Sequence, residues 1–469
     1  MLLTIEKLIY GGDGLARLPV TSPADLRAHE VGGRGKTIFV PFVLEGEKIE
    51  ASLTEQKPGF ERAIADSIVA PSPHRVPPPC PHFTRCGGCQ YQHTTYEHQL
   101  EIKKEILSES LRRTAKLELP FDIEVHPSPP WNYRNRSRLQ VRAKPTFAAG
   151  YFKLASHDLL PVEECPISSP LINRGIASLW KSGRAGGVPE GVREVEFFAN
   201  ADDTQLLIDV GCAREARRAA VRTWAEDFGA AMAEIVGVVA FREPPNPGDR
   251  KAGAQEVLVT VGAAYLTYQT QRAAYRVSAG SFFQTNRHLT DEMVKIVTAG
   301  RSGKLALDFY AGAGLFSTAL ASDFHHIVSV ESSQTSTADL SYNQSSNGEA
   351  VQATTEQYLA RAENLGRVGK GAVLPHIPYK PDLAVVDPPR SGLGERVARM
   401  LASLGAPRVA YVSCDPATLA RDLVPLLAAG YRVEQVHLVD LFPQTYHLES
   451  VVHLARSNEC TDSDLTSQG

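Results

Sequence analysis

The sequence has no surplus of positive charge: 49 lysines and arginines stand against 53 aspartates and glutamates, for a net charge of -4. Proteins that coat nucleic acid by bulk electrostatics are strongly basic, so any RNA contact here must be local. No apolar run reaches the roughly 20 residues that cross a bilayer. The opening MLLTIEKLIYGGDG also lacks the basic-then-apolar order of a signal peptide. Both absences point to a cytoplasmic protein with no membrane partner. A disulfide framework is missing too, because the seven cysteines are an odd number and four of them have metal-like spacing. Apolar material is plentiful, at 43% hydrophobic against 22% charged, which suits packed cores. The 469 residues call for roughly three domains of about 150 residues each.

Residues 1–70 alternate short apolar runs (Leu2–Ile5, Thr37–Val43, Lys48–Leu53, Ala63–Ile68) with Gly-rich turns, which predicts a small β-barrel. Thr21–Gly35 is polar and reads as a surface loop, and Pro71 to Pro81 as a linker. Over Thr94–Ala115 the apolar positions fall at helical spacing. Residues 71–280 form the predicted middle domain, an α+β unit with strands near Arg134–Val141, Val192–Phe198, Thr204–Val210, Val236–Phe241 and Glu256–Val261 and one helix near Ala213–Ala230. Residues 281–456 alternate strands with helices, the pattern of a doubly wound α/β sheet. The polar tail 457–469 is expected to fray.

The apolar strand ending at Asp308 runs into Phe-Tyr-Ala-Gly312-Ala-Gly314-Leu-Phe-Ser, whose small residues let a ligand approach the backbone. A second strand ends in Glu331, placed to accept both hydroxyls of a ribose. A pyrophosphate site favours a third glycine, but position 317 is Ser. The pattern therefore suits S-adenosylmethionine better than NAD and speaks against an oxidoreductase. A third strand ends in Asp387-Pro-Pro-Arg390, where the prolines stiffen a turn that aims the carboxylate into the crevice. Amino-group methyltransferases carry an aromatic at the position of Arg390, so the replacement turns the target towards carbon.

A fourth strand ends in Cys414, followed by Asp415 and Pro416. A cysteine near a helix N-terminus is favoured as thiolate, although Asp415 opposes this by like charge. Methylation at a pyrimidine C5 requires a nucleophile to add at C6 first, and a base to remove the C5 proton afterwards. Cys414 can add, and Glu449 or His447 can serve as base, with Glu449 preferred. Elsewhere, Cys80, Cys86 and Cys89 with the distant Cys165 offer four thiolates to one metal centre, zinc or iron–sulfur. Cys212 and Cys460 have no partner pattern and read as a core and a tail residue. Arg134, Arg136, Arg138, Arg142 and Lys144 lie in a stretch without Asp or Glu. Four arginines are therefore expected along one strand face for phosphate contact, with Leu139 and Val141 behind and Trp131 or Tyr133 stacking on splayed bases.

Together the segments DFYAGAGLFS, VVDPPRSGL, YVSCDPATLARDL and LFPQTYHLESV resemble the RNA 5-methyluridine methyltransferases, over essentially the whole chain. That resemblance implies Cys414 as nucleophile, Glu449 as base, and Gln284, Tyr310, Glu331 and Asp387 as cofactor contacts. Where some members have Asn after the glycine-rich turn, this chain has Leu315, so a side-chain contact there is lost. Also implied are a 4Fe-4S cluster on the four cysteines, and packing of Thr94–Ala115 on the catalytic domain. The first module is similar to that family's TRAM domain, an OB-like RNA-binding barrel. The expected activity is methylation of a flipped-out uridine at C5 by a monomer, in large-subunit rRNA ahead of tRNA. A non-catalytic RNA-binding factor is the alternative from another class, against which Cys414, Glu331 and Glu449 argue.

Overall fold

The computed structural model describes residues 1–18, 36–243, 256–368 and 380–456. The expected loop Thr21–Gly35, the tail 457–469 and Cys460 lie outside the described residues. Strands β1 (Leu2–Leu8), β2 (Asp13–Arg17), β3 (Thr37–Pro41), β4 (Lys48–Gln56) and β5 (Glu61–Ala70) close into a barrel of order β1-β2-β3-β5-β4. Alternation places Leu3, Ile5, Ile38, Val40 and Ile49 inside it. Gly14 admits no other residue, since a Cβ there would meet Val43 at 2.4 Å and Ile5 at 2.9 Å.

After the barrel come the helix Tyr96–Thr114 and a short strand, β6 (Glu124–His126). The middle unit is a seven-stranded sheet of β7 (Arg136–Arg142), β8 (Ala148–Phe152), β9 (Leu159–Pro161), β10 (Val192–Ala199), β11 (Leu206–Cys212), β12 (Ile235–Arg242) and β13 (Glu256–Gly262), in the order β13-β12-β11-β10-β7-β8-β9. Two helices pack against it, not the expected one. Arg218–Ala230 matches the Ala/Arg-rich segment, and Pro170–Arg184 is additional. The second helix announces itself locally: the Ser169 hydroxyl accepts from the Ile172 amide at 3.2 Å and Pro170 occupies the first turn. A hairpin of β14 (Tyr265–Gln269) and β15 (Ala274–Ser278) follows.

The C-terminal sheet contains β16 (Gly303–Phe309), β17 (Phe324–Glu331), β18 (Gly348–Gln352), β19 (Leu383–Val386), β20 (Arg408–Ser413), β21 (Tyr431–Val439) and β22 (Glu449–Arg456), with β6 added at its edge. Its order is β18-β17-β16-β19-β20-β22-β21-β6. Neighbours from β18 to β20 run parallel, and β22 is antiparallel to both β20 and β21. Each face of the sheet carries its own core. Leu305, Leu307 and Phe309 join one, and Ala306, Val385 and Val412 the other, as the two-residue period of a doubly wound sheet demands. The helix Tyr96–Thr114 lies in the first core through Ile102, Ile106, Leu107 and Leu111. No helix among the described residues is long and apolar enough to cross a membrane.

Candidate active site

The carboxyl ends of β16, β17, β19 and β20 open into one cleft of about 980 Å³, the place where open α/β sheets bind ligands. Gln284, Tyr310, Glu331, Asp387, Cys414 and Glu449 all line it. The glycine-rich turn is held in shape by the second strand: one Glu331 oxygen accepts from the Gly312 amide at 3.0 Å and the other from the Ser333 amide at 2.6 Å. Leu315 is buried in the core under the turn. Asp308, not singled out from the sequence, is buried at the end of β16 and accepts from the Ser317 amide at 3.0 Å. Burial pushes its carboxyl up to about 7.

Asp387 follows β19, and its amide donates to the Phe309 carbonyl at 3.3 Å. Glu449 opens β22 and is 5% exposed. Both carboxyls are pushed up by burial, and the charge of Asp387 raises Glu449 further while Arg390 opposes it. Two buried carboxyls that feel each other hold their protons to higher pH than exposed ones do.

Cys414 departs from its expectation. The N-terminal amides of the helix Pro416–Ala428 are taken by Asp415, whose Oδ1 accepts from Ala417 at 3.0 Å and Thr418 at 2.9 Å. Burial, then Glu449 and Asp387, push the Cys414 thiol up to about 12, with Arg390 alone among the principal influences pulling it down. The helix end therefore does not create a thiolate in the unliganded protein.

Arg390 reaches His447, with its Nη2 at 3.2 Å from Nδ1 and 3.1 Å from Nε2. Burial and then the charge of Arg390 push His447 down to about 3. The segment carrying His447 is fixed from outside the sheet. The amides of Gln90 and Tyr91 each donate to the Gln444 carbonyl at 3.0 Å. Gln99 exchanges hydrogen bonds with Gln444 at 3.1 and 2.9 Å, and Tyr133 donates to the Pro443 carbonyl at 3.0 Å. Lys103, fully buried, pairs with Asp440 at 2.6 Å and donates to the Phe442 carbonyl at 3.0 Å. From the barrel, the Tyr10 hydroxyl donates to the Cys414 carbonyl at 3.0 Å, and its ring meets Tyr446 edge-on at 5.5 Å.

The expected arginine stripe is divided: Leu139 and Val141 pack behind it and Arg142 and Lys144 are exposed, but Arg136 and Arg138 are engaged within the protein. Strand β10 pairs with β7 and sets Glu196 beside Arg138. Arg138 bonds Glu196 at 2.7 Å, while Arg136 donates to the Ser281 carbonyl and lies 4.2 Å over the Phe198 ring. Tyr133 is buried and cannot stack on a base. Phe282, missed in the sequence, lines the cleft with 60% of its surface exposed. The middle sheet also supplies a wall of the cleft through Glu194, Glu196, Asp209 and Arg242.

Cys80, Cys86, Cys89 and Cys165 line one separate small cavity, of about 80 Å³. Among the described residues no three cysteine sulfurs lie within 4.8 Å of one another. Four thiolates about 2.3 Å from a single zinc would be about 3.8 Å apart. Cys212 is buried in the middle-domain core, as expected.

Comparison with known proteins agrees with this geometry. Residues 256–457 match the model of the tRNA (Uracil-5-)-methyltransferase family. An RNA methyltransferase of Aquifex aeolicus is 30% identical, with 96% of this chain and 97% of that one covered. The 23S rRNA (uracil(1939)-C(5))-methyltransferase RlmD of Chromohalobacter salexigens is 32% identical, covering 97% of this chain and 89% of that one. In fold the chain is similar to the Pyrococcus abyssi tRNA (uracil-54, C5)-methyltransferase solved with S-adenosyl-L-homocysteine. Its TM-score is 0.71 at 22% identity, over 97% of this chain and 100% of that one.

Proposed function

The chain belongs to the RNA uracil-C5 methyltransferases, enzymes of class 2.1.1, and from that premise we propose that it methylates C5 of a uridine in 23S rRNA through a covalent adduct on Cys414. The carrying observation is the meeting of Cys414, Asp387 and Glu449 in one cleft with Glu331 and the glycine-rich turn. Relatives named for 23S rRNA match over nearly the whole chain at 31–32% identity, and they favour rRNA over tRNA.

S-adenosylmethionine supplies the methyl group when bound; Glu331 would accept from its ribose, and Gln284, Tyr310 and Asp387 line the rest of the cleft. The Cys414 sulfur adds to C6 of the uracil, and the C5=C6 electrons move into an enolate. Burial raises the thiol, so as the sulfur adds to C6 its proton passes to solvent, and Arg390 is the cation in place to favour the thiolate. C5 then takes the methyl group. Glu449 removes the C5 proton, the C5=C6 bond re-forms, and the Cys414–C6 bond breaks to release the thiolate. Once ionised, a carboxylate whose proton affinity is raised by burial and by Asp387 is a stronger base than a histidine pushed down to about 3 and engaged by Arg390. This supports Glu449 over His447. Phe282 is the exposed ring available to stack on the flipped base.

The barrel reads as a TRAM-type RNA-binding module whose Tyr10 touches the backbone of the nucleophile. Cys80, Cys86, Cys89 and Cys165 share one cavity and offer four thiolates, and the family resemblance assigns them to a 4Fe-4S cluster ahead of zinc. Such a cluster would tie the segment after the barrel to the middle sheet and take no part in methyl transfer. The same reading makes the protein a cytoplasmic monomer. Incubation with methyl-labelled cofactor and either 23S rRNA or total tRNA, followed by mapping of 5-methyluridine, tests it. Label in tRNA alone would reverse the substrate assignment, and label in neither would end the proposal. Iron and acid-labile sulfide, both lost in Cys165→Ser, are the matching test for the cluster.

A further inference from the structure

At the edge of the catalytic sheet, outside the cleft, two histidines face each other. Strand β6 runs parallel to β21 with Glu124 opposite His437 and His126 opposite Val439. Residues 124 and 126 share a face, so Glu124 and His126 bracket His437. His126 Nε2 lies 3.0 Å from His437 Nδ1. The Glu124 carboxylate is 3.6 Å from the first nitrogen and 3.3 Å from the second.

We propose that His126 Nε2, His437 Nδ1 and a Glu124 oxygen form a binding site for one divalent transition-metal ion of the zinc class, completed by water on the open edge of the sheet. Around an ion bound at about 2.0–2.2 Å, tetrahedral ligand atoms are about 3.4 Å apart. The two nitrogens are 3.0 Å apart, and the Glu124 carboxylate approaches them with Oε2 3.3 Å from His437 and Oε1 3.6 Å from His126, so one ligand atom from each residue lies within 4.8 Å of the others before any ion has drawn them together.

A second carboxylate supplies the orienting contact that metal-bound histidines ordinarily have. Glu292 Oε1 lies 3.3 Å from His126 Nδ1, the nitrogen facing away from the ion. A carboxylate there fixes the proton on Nδ1 and leaves the Nε2 lone pair free. In the metal-free chain His437 Nδ1 must then be the donor to His126. Binding needs no more than a shift of that proton to His437 Nε2. Among the described residues the ion-pair contacts of Glu124 are with the two histidines alone, and His126 and then Arg301 oppose positive charge on His437. The site would clip β6 to β21 just before the catalytic segment, since the His126 carbonyl accepts from the Asp440 amide at 3.0 Å. It would be structural, holding the crossing from the catalytic sheet to the middle domain.

Titration of the full-length chain with Co(II) tests this, because its visible spectrum reports a nitrogen and oxygen site by ligand-field bands without the near-ultraviolet sulfur charge transfer of a cysteine site. One equivalent with the first signature is expected. His126→Gln and Glu124→Gln should each abolish it or weaken it at least about tenfold. Glu292→Gln, which removes no ligand, should cost roughly 10- to 100-fold in affinity. Glu124 is 64% exposed, so its substitution leaves the fold intact, to be checked by circular dichroism. Absence of Co(II) binding, a sulfur signature alone, or affinity unchanged in Glu124→Gln and His126→Gln would each overturn the proposal and leave a hydrogen-bonded histidine pair.

Discussion

The Tyr10 hydroxyl donates a hydrogen bond of 3.0 Å to the carbonyl oxygen of Cys414, across 404 residues of sequence. The N-terminal barrel therefore touches the backbone of the proposed nucleophile, and its ring leans on Tyr446 in the segment leading to Glu449. Tyr10→Phe keeps the ring and removes one hydrogen bond, worth about 0.5–1.5 kcal/mol. Methylation of rRNA by that variant should fall roughly 2- to 12-fold in kcat/KM, with cofactor affinity unchanged in a direct binding titration.

Cys414→Ala should lose at least roughly 10³-fold in 5-methyluridine formation, because no other group in the cleft can add to C6. Cofactor binding should persist. An active Cys414→Ala enzyme would remove the covalent route altogether.

Glu449→Gln interrupts the sequence after the methyl group has moved. Denaturing gels of that variant with cofactor and RNA should show a protein–RNA adduct that the native enzyme does not accumulate. If His447 were the base, the adduct would appear in His447→Ala instead.

Strand ends and their punctuation made much of this site legible in advance. Glu331, Asp387 and Cys414 each end an apolar run just before a turn or helix start, and a doubly wound sheet must gather such positions at one edge. What depends on pairing between distant strands was not legible. Arg136 and Arg138 looked free because no acid lies near them in sequence. Their partner Glu196 arrives only through the register of β10 on β7. Tyr133 looked available to RNA because nothing local reveals that its hydroxyl is committed to Pro443. The thiolate expected at Cys414 was opposed mainly by burial and by Glu449 and Asp387, which the fold brings together, while Asp415, weighed in advance, takes the helix amides for itself.

The Asp308 carboxyl is pushed up to about 7 by burial, above the value of about 4 it has in an unfolded chain. Its folded form binds the proton more tightly, so its contribution is favourable below about pH 4 and is lost as pH rises through about 7. Asp308→Asn should therefore gain stability relative to the native chain between pH 5 and pH 8, by about 4 kcal/mol at the most. Thermal melts at the two pH values measure it. A difference that stays flat with pH would mean that the buried carboxyl is not neutral.

Lys103 and Asp440 are both fully buried and lie 2.6 Å apart. Lys103→Met leaves Asp440 with the Tyr96 hydroxyl, 2.9 Å away, and no cation. A loss of about 3–5 kcal/mol in urea unfolding is expected. Asp440→Asn in the Lys103→Met background should recover part of it.

The position of β22 governs when this enzyme can exist. It is the last of the described strands in sequence, yet it lies inside the sheet, between β20 and β21. While the chain is being synthesised, those two strands emerge with a gap between them that only residues 449–456 can fill. Tyr10, made near the start, waits for a partner some four hundred residues later. The barrel can fold early, but the catalytic cleft closes only after residues 449–456 have been added.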